Sequence, residues 1–339
     1  MTQHEITKAA PLLDVSGNLA EPGWARSLLP VYCRSQIRAP KTRIKEWDYY
    51  CITDGHIGLA LTIADNGYMG LDSISFLNFD ECWEITKSPM RLFPMGKTHL
   101  PESSRLGASE IAASGYALAF YHEDGARQLS FHMDNFRGKD AIEGIITLTD
   151  EPVESIVIAT PFDKPGHFYY NQKINCLRAS GWIELGGEKF ELTPDRFFAV
   201  LDWGRGVWTY HNTWYWSSAS GELDGVPFGW NLGDTSAATE NALFYNGTLH
   251  KLEHINFEIP IKDGREDFLA PWRFTSSDGR FEMQFQPVLD RAACTDLKLL
   301  KSDQHQVFGK FSGTAVLDDG SVLSVRDFFG FAEKVENKW

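Results

Sequence analysis

The amino-acid sequence predicts an all-β protein, and three observations support that prediction. Stretches with the helical period of 3.6 residues are nearly absent, whereas short runs of aromatic and β-branched residues recur along the chain. Turn residues interrupt these runs at intervals of roughly 8–12 residues. Asn-Gly or Asp-Gly pairs stand between strand-like runs in ADNGY, FYNGTL and LDDGSVL, and such pairs are typical of tight β-hairpins.

The order of the runs predicts two consecutive antiparallel β-barrels packed together. A chain of 339 residues exceeds what one small barrel usually holds. The polar segment LTDEPVES separates two β-rich parts of similar size. We therefore expect one domain over residues 1–155 and a second, which carries the most aromatic segment, over 156–339. Helix is expected only in short pieces, at residues 193–198 and 290–302.

The charge balance excludes several classes of partner. The chain carries 32 Lys and Arg against 46 Asp and Glu, a formal net charge of -14. Binding to a nucleic-acid backbone or to an anionic membrane needs a basic face, so we expect neither partner. No window approaches the ~18 apolar residues of a membrane helix, which predicts no integral membrane segment. The oligomeric state is left open.

Cysteine usage and the N-terminus predict a cytoplasmic protein. The five cysteines are widely spaced and include no Cys-x-x-Cys pair, so we expect reduced, mostly buried thiols. The N-terminus lacks the pattern of a secretory signal. The ten histidines show no His-x-His or His-Glu-x-x-His spacing, and no phosphate-binding loop precedes a helix. Neither a metal nor a cofactor is therefore expected.

The stretch LDWGRGVWTYHNTWYW, at residues 201–216, concentrates rings and titratable groups. When it is treated as one strand from Val207 onward, alternate side chains point to opposite faces. One face carries Trp208, Tyr210, Asn212, Trp214 and Trp216, and the other carries Thr209, His211, Thr213, Tyr215 and Ser217. Two interpretations remain open: the rings form a core between two sheets, or they line a ligand cavity with polar groups at its mouth.

The cavity interpretation assigns roles to individual residues. The candidate catalytic residues are Asp202, Tyr210 and His211. The candidate ligand-binding residues are Arg205, Trp203, Trp208, Trp214, Trp216, Asn231 and Glu240. Because Gly204 and Gly206 permit a sharp bend around Arg205, we expect Asp202 and Arg205 at a strand end beside the cavity mouth, with Tyr210 or His211 within reach.

A second stretch, GHFYYNQKINC at residues 166–176, alternates in the same manner. One face carries His167, Tyr169, Asn171 and Lys173. This pattern is typical of a half-exposed strand and, as an alternative, supplies polar groups to a site.

Several motifs resemble one known family. They are KEWDYY at residues 45–50, GYMG at 67–70, DWGRGVWTY at 202–210 with WYW following, and the ending GTAVLDDGSVLSVRDFFGFAEKVENKW. These motifs are similar to those of the family called domain of unknown function 2804. The resemblance covers the chain from about residue 20 to the end. That family resembles lipocalin-like proteins that include carotenoid hydratase (hydroxyneurosporene synthase) and tocopherol cyclase.

The resemblance implies two lipocalin-like, or calycin-like, barrels and acid-assisted chemistry on an isoprenoid or other apolar substrate. In the hydratase group the acting residues are of the types His, Trp, Tyr and Asp, which this sequence offers at Asp202, Trp208, Tyr210 and His211. The correspondence is one of residue type, not of aligned position.

Three functions are compatible with the sequence. The first is an enzyme that hydrates, cyclises or isomerises an apolar small molecule, in which a buried acid supplies the proton. The second is a carrier of a lipid-like ligand without chemistry. The third is a carbohydrate-active protein that stacks Trp and Tyr on sugar rings and pairs Asp202 with Glu240 or Glu333. The resemblance places an apolar ligand ahead of a sugar.

Overall fold

The structure, a computed structural model, describes residues 3–123, 125–234, 238–296 and 301–338. These residues contain β-strands and two short 3₁₀-helices, Arg34–Gln36 and Lys41–Arg43, and no α-helix. The first strands are β1 (Ala10–Pro11), β2 (Gly23–Ala25), β3 (Pro30–Val31), β4 (Ile44–Thr53), β5 (Ile57–Asp65), β6 (Met69–Asn78), β7 (Trp83–Lys87) and β8 (Met90–Leu92). They are followed by β9 (Gly107–Ala113), β10 (Tyr116–Glu123), β11 (Ala126–Arg137), β12 (Asp140–Thr149), β13 (Ile156–Pro161), β14 (Phe168–Leu185), β15 (Glu188–Leu192) and β16 (Phe198–Val207).

The remaining strands follow a short connection. They are β17 (His211–Leu223), β18 (Val226–Leu232), β19 (Ala242–Tyr245), β20 (Thr248–Lys251), β21 (Ile255–Glu258), β22 (Ile261–Lys262) and β23 (Arg265–Glu266). The last four are β24 (Trp272–Ser276), β25 (Phe281–Asp296), β26 (Lys301–Val316) and β27 (Val322–Lys338). The predicted all-β fold with large antiparallel sheets is confirmed.

Two large antiparallel sheets organise these strands. Among the described residues the first has 14 strands, with the main order β7-β6-β5-β4-β16-β14-β12-β11-β10-β9. One of the two sheets curls into a half-barrel. The second has nine strands in the order β20-β19-β18-β17-β27-β26-β25-β24-β21. The chain passes from the first sheet to the second at residues 208–210, so the domain division expected at residue 155 does not coincide with this change of sheets.

Each sheet encloses an apolar core, and further apolar clusters lie where the sheets meet. The core of the first sheet includes Trp203, and that of the second includes Trp230. Between the sheets, the ring of Phe79 packs against Phe308 with centroids 5.1 Å apart. Strand β16 is buried along its whole length because one face points into the first core and the other points toward the second sheet.

The hairpins predicted from Asn-Gly and Asp-Gly pairs are confirmed. Asn246 and Gly247 connect β19 to β20, and both have a positive φ, of 51° and 78°. That conformation is required at both central positions of a type I′ turn, which matches the twist of the flanking strands. Gly67 and Gly320 occupy the corresponding turns after β5 and β26.

The two predicted helices are wrong. Residues 193–197 form a turn before β16, in which the amide of Phe197 donates to the carbonyl of Thr193. Residues 290–296 continue β25 and residues 301–302 begin β26, whereas 297–300 lie outside the described residues. Pairing between the two long strands satisfies the backbone and overrides the local helix propensity of the alanines in this stretch.

The predicted strand from Val207 onward is also wrong in part. Val207 pairs with Ile44 in the first sheet, whereas His211 pairs with Lys338 in the second. The alternation of faces is therefore broken between the two strands. Trp208 is buried while Tyr210, which was expected on the same face, is 49% exposed.

The contact of Phe79 with Phe308 predicts energetic coupling between the sheets. We expect Phe79→Leu and Phe308→Leu each to lower the free energy of unfolding by about 1–2 kcal/mol. Because the two rings touch, the loss of unfolding free energy in the double variant should be smaller than the sum of the losses in the two single variants. We expect the difference to be about 0.5 kcal/mol or more in denaturant unfolding. Phe281 packs against Trp230 in the second core, so Phe281→Leu is the control. Its loss of unfolding free energy should add to that of Phe79→Leu.

Candidate functional site

A buried ion pair lies on the face of the first sheet that points toward the second. Lys173 on β14 and Asp202 on β16 are directly opposed in the ladder, and Lys173 Nζ lies 2.8 Å from Asp202 Oδ2. The other carboxylate oxygen of Asp202 accepts a hydrogen bond from Asn171 Nδ2 at 2.5 Å. All three side chains are buried, so the pair is held in a region of low dielectric.

The second sheet adds a buried carboxyl to this pair. Glu240, between β18 and β19, places Oε2 3.8 Å from Lys173 Nζ. Asn231 donates from Nδ2 to the same oxygen at 3.1 Å, and Trp216 donates from Nε1 to Asn231 Oδ1 at 2.7 Å. A side chain at Gly233 would meet Glu240 Oε1 at 2.8 Å, so this glycine leaves room for the carboxyl.

Glu333 on β27 is the third carboxyl at the meeting of the sheets. Trp214 donates from Nε1 to Glu333 Oε1 at 2.9 Å. Gln306 donates from Nε2 to Glu333 Oε2 and to the hydroxyl of Tyr49, each at 3.2 Å, and thereby connects the two sheets. Lys173, Asp202, Glu240 and Glu333 are together called the charged cluster.

Burial changes the pKa of two carboxyls in the charged cluster, Glu240 and Glu333. Burial raises the pKa of Glu240, with Lys173 opposing the shift and the charge of Asp202 adding to it. Burial also raises the pKa of Glu333, although the N–H of Trp214 opposes the rise. Carboxyls of this kind keep a proton at higher pH than exposed ones and can deliver it to a bound molecule.

Five rings lie beside the charged cluster. This aromatic cluster consists of Trp47, Phe162, Tyr169, Trp208 and Trp214. Trp208 is its centre, with ring centroids 5.1 Å from Tyr169, 5.4 Å from Trp214 and 5.5 Å from Phe162. Trp47 and Phe162 are half-buried, so the cluster reaches the protein surface.

Gly204 leaves room for one of these rings, and Lys173 contacts the neighbouring ring of Trp216. Any side chain at Gly204 would overlap the ring of Trp47. Trp47 also stacks on Tyr169, with centroids 6.1 Å apart. Lys173 Nζ lies 4.0 Å from the centroid of the Trp216 ring, a cation–π contact that links the ion pair to the aromatic residues.

The structure separates Arg205 from Asp202. The two lie three residues apart inside β16, so their side chains point to opposite faces, and the expectation of a shared position at a strand end is wrong. Arg205 is fully buried, with Nη2 3.0 Å from Asp48 Oδ1 and Nη1 donating to the carbonyl of Trp47. Trp203 lies in the first core, with the Arg205 guanidinium 4.2 Å from its ring.

Tyr210 and His211 lie at the surface, apart from the charged cluster. Tyr210 is 49% exposed. His211 is exposed and lies 3.2 Å from Glu336. The other candidates lie in the two clusters around Asp202, through the contacts described above. They are Trp208, Trp214, Trp216, Asn231 and Glu240.

Strand β14 is more buried, and contributes more to the candidate site, than its sequence pattern predicted. Its first ten residues are all buried, so the expectation of a half-exposed strand is wrong. The alternation that grouped Tyr169, Asn171 and Lys173 on one face was the available signal. Tyr49 and Gln306 left no comparable signal because they meet only through the packing of the sheets.

The described ranges contain neither a group of metal-binding side chains nor a membrane-spanning helix. Within the described ranges, no three or more His, Cys, Asp or Glu side chains are grouped so as to hold a metal ion. No helix in the same ranges has the length and hydropathy needed to cross a membrane. The five cysteines are free thiols, of which Cys51 and Cys176 are buried while Cys82 and Cys294 are exposed.

The sequence of this chain matches a known protein family. The model of the family described as domain of unknown function (DUF2804) matches residues 3–339. The chain belongs to this family. No curated protein matches this DUF2804 chain significantly.

Solved structures resemble this DUF2804 protein at low identity. A Nitrosomonas europaea protein provisionally described as AttH is 14% identical, with 86% of this chain and 92% of that chain covered and a TM-score of 0.54. Kievitone hydratase from Nectria haematococca is 11% identical, with 98% of each chain covered and a TM-score of 0.49. CghA is 9% identical over 98% of this chain and 94% of that chain, with a TM-score of 0.44. The first of these supports the fold.

The raised pKa of Glu240 predicts a pH-dependent contribution to stability. In the unfolded chain this carboxyl titrates near its ordinary value of 4.5, whereas in the folded protein it holds its proton to higher pH. The folded state therefore binds more protons between the two values, and stability falls as pH rises through that interval.

Glu240→Gln removes this titration. We expect the free energy of unfolding of the wild type, minus that of the variant, to decrease as pH is raised from 4 to 8 in denaturant melts. Glu188→Gln, at an exposed site, is the control and should show a flat difference. An equally flat difference for Glu240→Gln would contradict the raised pKa.

Proposed function

We propose that the protein binds an apolar small molecule against the aromatic cluster and acts on it by proton transfer, as a hydratase, cyclase or isomerase. The observation that supports this most is the buried carboxyl of Glu240, with its raised pKa, beside the ion pair and the rings. The DUF2804 fold is shared with a protein described as AttH, which is consistent with a lipocalin-like small-molecule site.

Glu240 is the proposed proton donor. Asn231 and Lys173 both contact Oε2, which leaves Oε1 as the oxygen that carries the proton toward a ligand. Asn231 is held in turn by the indole N–H of Trp216, so the carboxyl is oriented by a chain of hydrogen bonds. Burial favours the protonated form, which is the form that general acid catalysis needs.

The aromatic cluster is the proposed binding surface for the apolar part. Protonation of a carbon–carbon double bond by Glu240 adds hydrogen to one carbon and leaves a cation on the other. The faces of Trp208 and Trp214 would stabilise that charge by cation–π attraction. In hydration, the oxygen of water bonds to the cation and a proton of that water returns to the Glu240 carboxylate. In isomerisation, a carbon next to the cation instead loses a proton to the same carboxylate, and a double bond forms between the two carbons.

Asp202 and Lys173 are assigned a positioning role. Asp202, the catalytic candidate from the sequence, is engaged by Lys173 and Asn171, and its charge helps to keep the Glu240 carboxyl protonated. Tyr210 and His211 are at the surface and are not given a role in the chemistry. The cytoplasmic location and the absence of a cofactor stay predictions from the sequence.

Glu240→Gln tests the proposal because it keeps the shape of the side chain and removes its proton. Purified protein would be screened with isoprenoid, quinone and sugar libraries, and products would be separated by chromatography and identified by mass: a gain of one water for hydration, and a new retention time at unchanged mass for cyclisation or isomerisation. We expect turnover of an apolar alkene, reduced by about 10²–10⁴-fold in Glu240→Gln, with ligand quenching of tryptophan fluorescence retained.

The exposed Glu188→Gln variant is the control and should keep full activity. Saturable quenching without turnover of any library member would indicate a carrier instead. Cleavage of an oligosaccharide would indicate the carbohydrate-active alternative. Either result would overturn the proposed reaction.

A further inference from the structure

A buried hydrogen-bond acceptor lies at the junction of the aromatic cluster and the charged cluster. Asn171 is 0% exposed, and within the described part of the chain its Oδ1 atom is buried without a hydrogen-bond partner. Leaving a buried polar atom unsatisfied is unfavourable, so most such atoms in native proteins have a partner. This acceptor therefore points to a donor supplied from outside the chain.

The orientation of the Asn171 amide is fixed by its neighbour. Its Nδ2 donates to Asp202 Oδ1 at 2.5 Å. The flipped amide would bring its oxygen against that carboxylate, an arrangement with no hydrogen between two acceptors. The carbonyl oxygen of the amide is consequently the atom left for an external donor.

The place of Asn171 in the sheet puts it next to the rings. Asn171 is directly opposite Gly204 in the ladder between β14 and β16, and the ring of Trp47 covers Gly204. Tyr169, two residues earlier on the same face, stacks on Trp47. A molecule held by the aromatic cluster would thus reach Asn171 with one end.

The groups around Asn171 match a hydroxyl. A hydroxyl both donates one hydrogen bond and accepts others. It can donate to Asn171 Oδ1 and accept from the phenol of Tyr169, which lies two residues earlier on the same face of the strand. A methyl ether at the same place would fill the space but could not donate to Asn171.

We propose that the ligand is an apolar molecule with a hydroxyl group, a phenol or an alcohol, and that Asn171 determines this specificity by accepting the hydroxyl hydrogen. The inference rests on the proposed function only for the location of the ligand, since it concerns binding and not turnover. A water molecule could offer the same donor, and the experiment separates the two sources.

The experiment uses two probes that differ in the hydroxyl alone. Binding of 2-naphthol and of 2-methoxynaphthalene to the full chain would be measured by quenching of tryptophan fluorescence. A hydrogen bond of about 1.4 kcal/mol corresponds to a tenfold preference, so we expect the wild type to bind 2-naphthol roughly tenfold more tightly. Asn171→Leu should bring the ratio of the two dissociation constants to about one.

Two further variants keep the test decisive. Tyr169→Phe preserves the ring that stacks on Trp47 and should lower the ratio without affecting folding, which covers the case in which Asn171→Leu fails to fold. Gln172→Leu is the matched control, since this neighbouring buried amide points into the first core, where it bonds Ser104 and Ser155. We expect it to leave the ratio unchanged.

Equal affinity of the wild type for the two probes would overturn the inference and assign the acceptor to water. A preference for 2-naphthol that persists in both Asn171→Leu and Tyr169→Phe would also overturn it. The outcome is independent of catalysis. A normal probe preference together with full turnover in Glu240→Gln would refute the proposed reaction while supporting this inference.

Discussion

The ion pair between Lys173 and Asp202 constrains the organisation of the rest of the structure. Both side chains leave water and lie where the two sheets meet, a placement that is unfavourable unless each charge is compensated by close contacts. The compensation comes from elements far apart in the sequence: Asn171 beside it on β14, and Glu240 and the ring of Trp216 from the second sheet. The pair therefore requires the two sheets to be packed in one specific arrangement.

Strand β16 shows how the fold and the site depend on each other. Its residues are buried on both faces, so one strand serves the core of the first sheet and the meeting of the two sheets. On the first face, Trp203 and Arg205 complete the inner core. On the second face, Asp202 carries the charge and Gly204 leaves space for Trp47. The same ten residues thus complete an apolar core on one face and contribute to the proposed site on the other.

Local chemistry was predictable from the sequence, and tertiary pairing was not. Asn246-Gly247 indicated a hairpin because both residues tolerate the positive φ that the turn needs. The aromatic segment was predicted to be one strand, but its passage between two sheets at residues 208–210 depends on partners more than 100 residues away, such as Lys338 opposite His211. The separation of Asp202 from Arg205 was available from the period of a strand, since an odd spacing places side chains on opposite faces.

In the proposed function, the ion pair between Lys173 and Asp202 serves the reaction and adds no net stability relative to a well-packed apolar pair. The direct test is a double-mutant cycle with Lys173→Met and Asp202→Leu, measured by denaturant unfolding and by ligand quenching of tryptophan fluorescence. Each single variant leaves one buried charge uncompensated, so we expect a loss of about 3–5 kcal/mol, whereas the apolar double variant should match or exceed the stability of the wild type. The double variant should fold normally yet fail to turn over the ligand. A double variant that is less stable than either single one, or one that keeps full activity, would contradict the account.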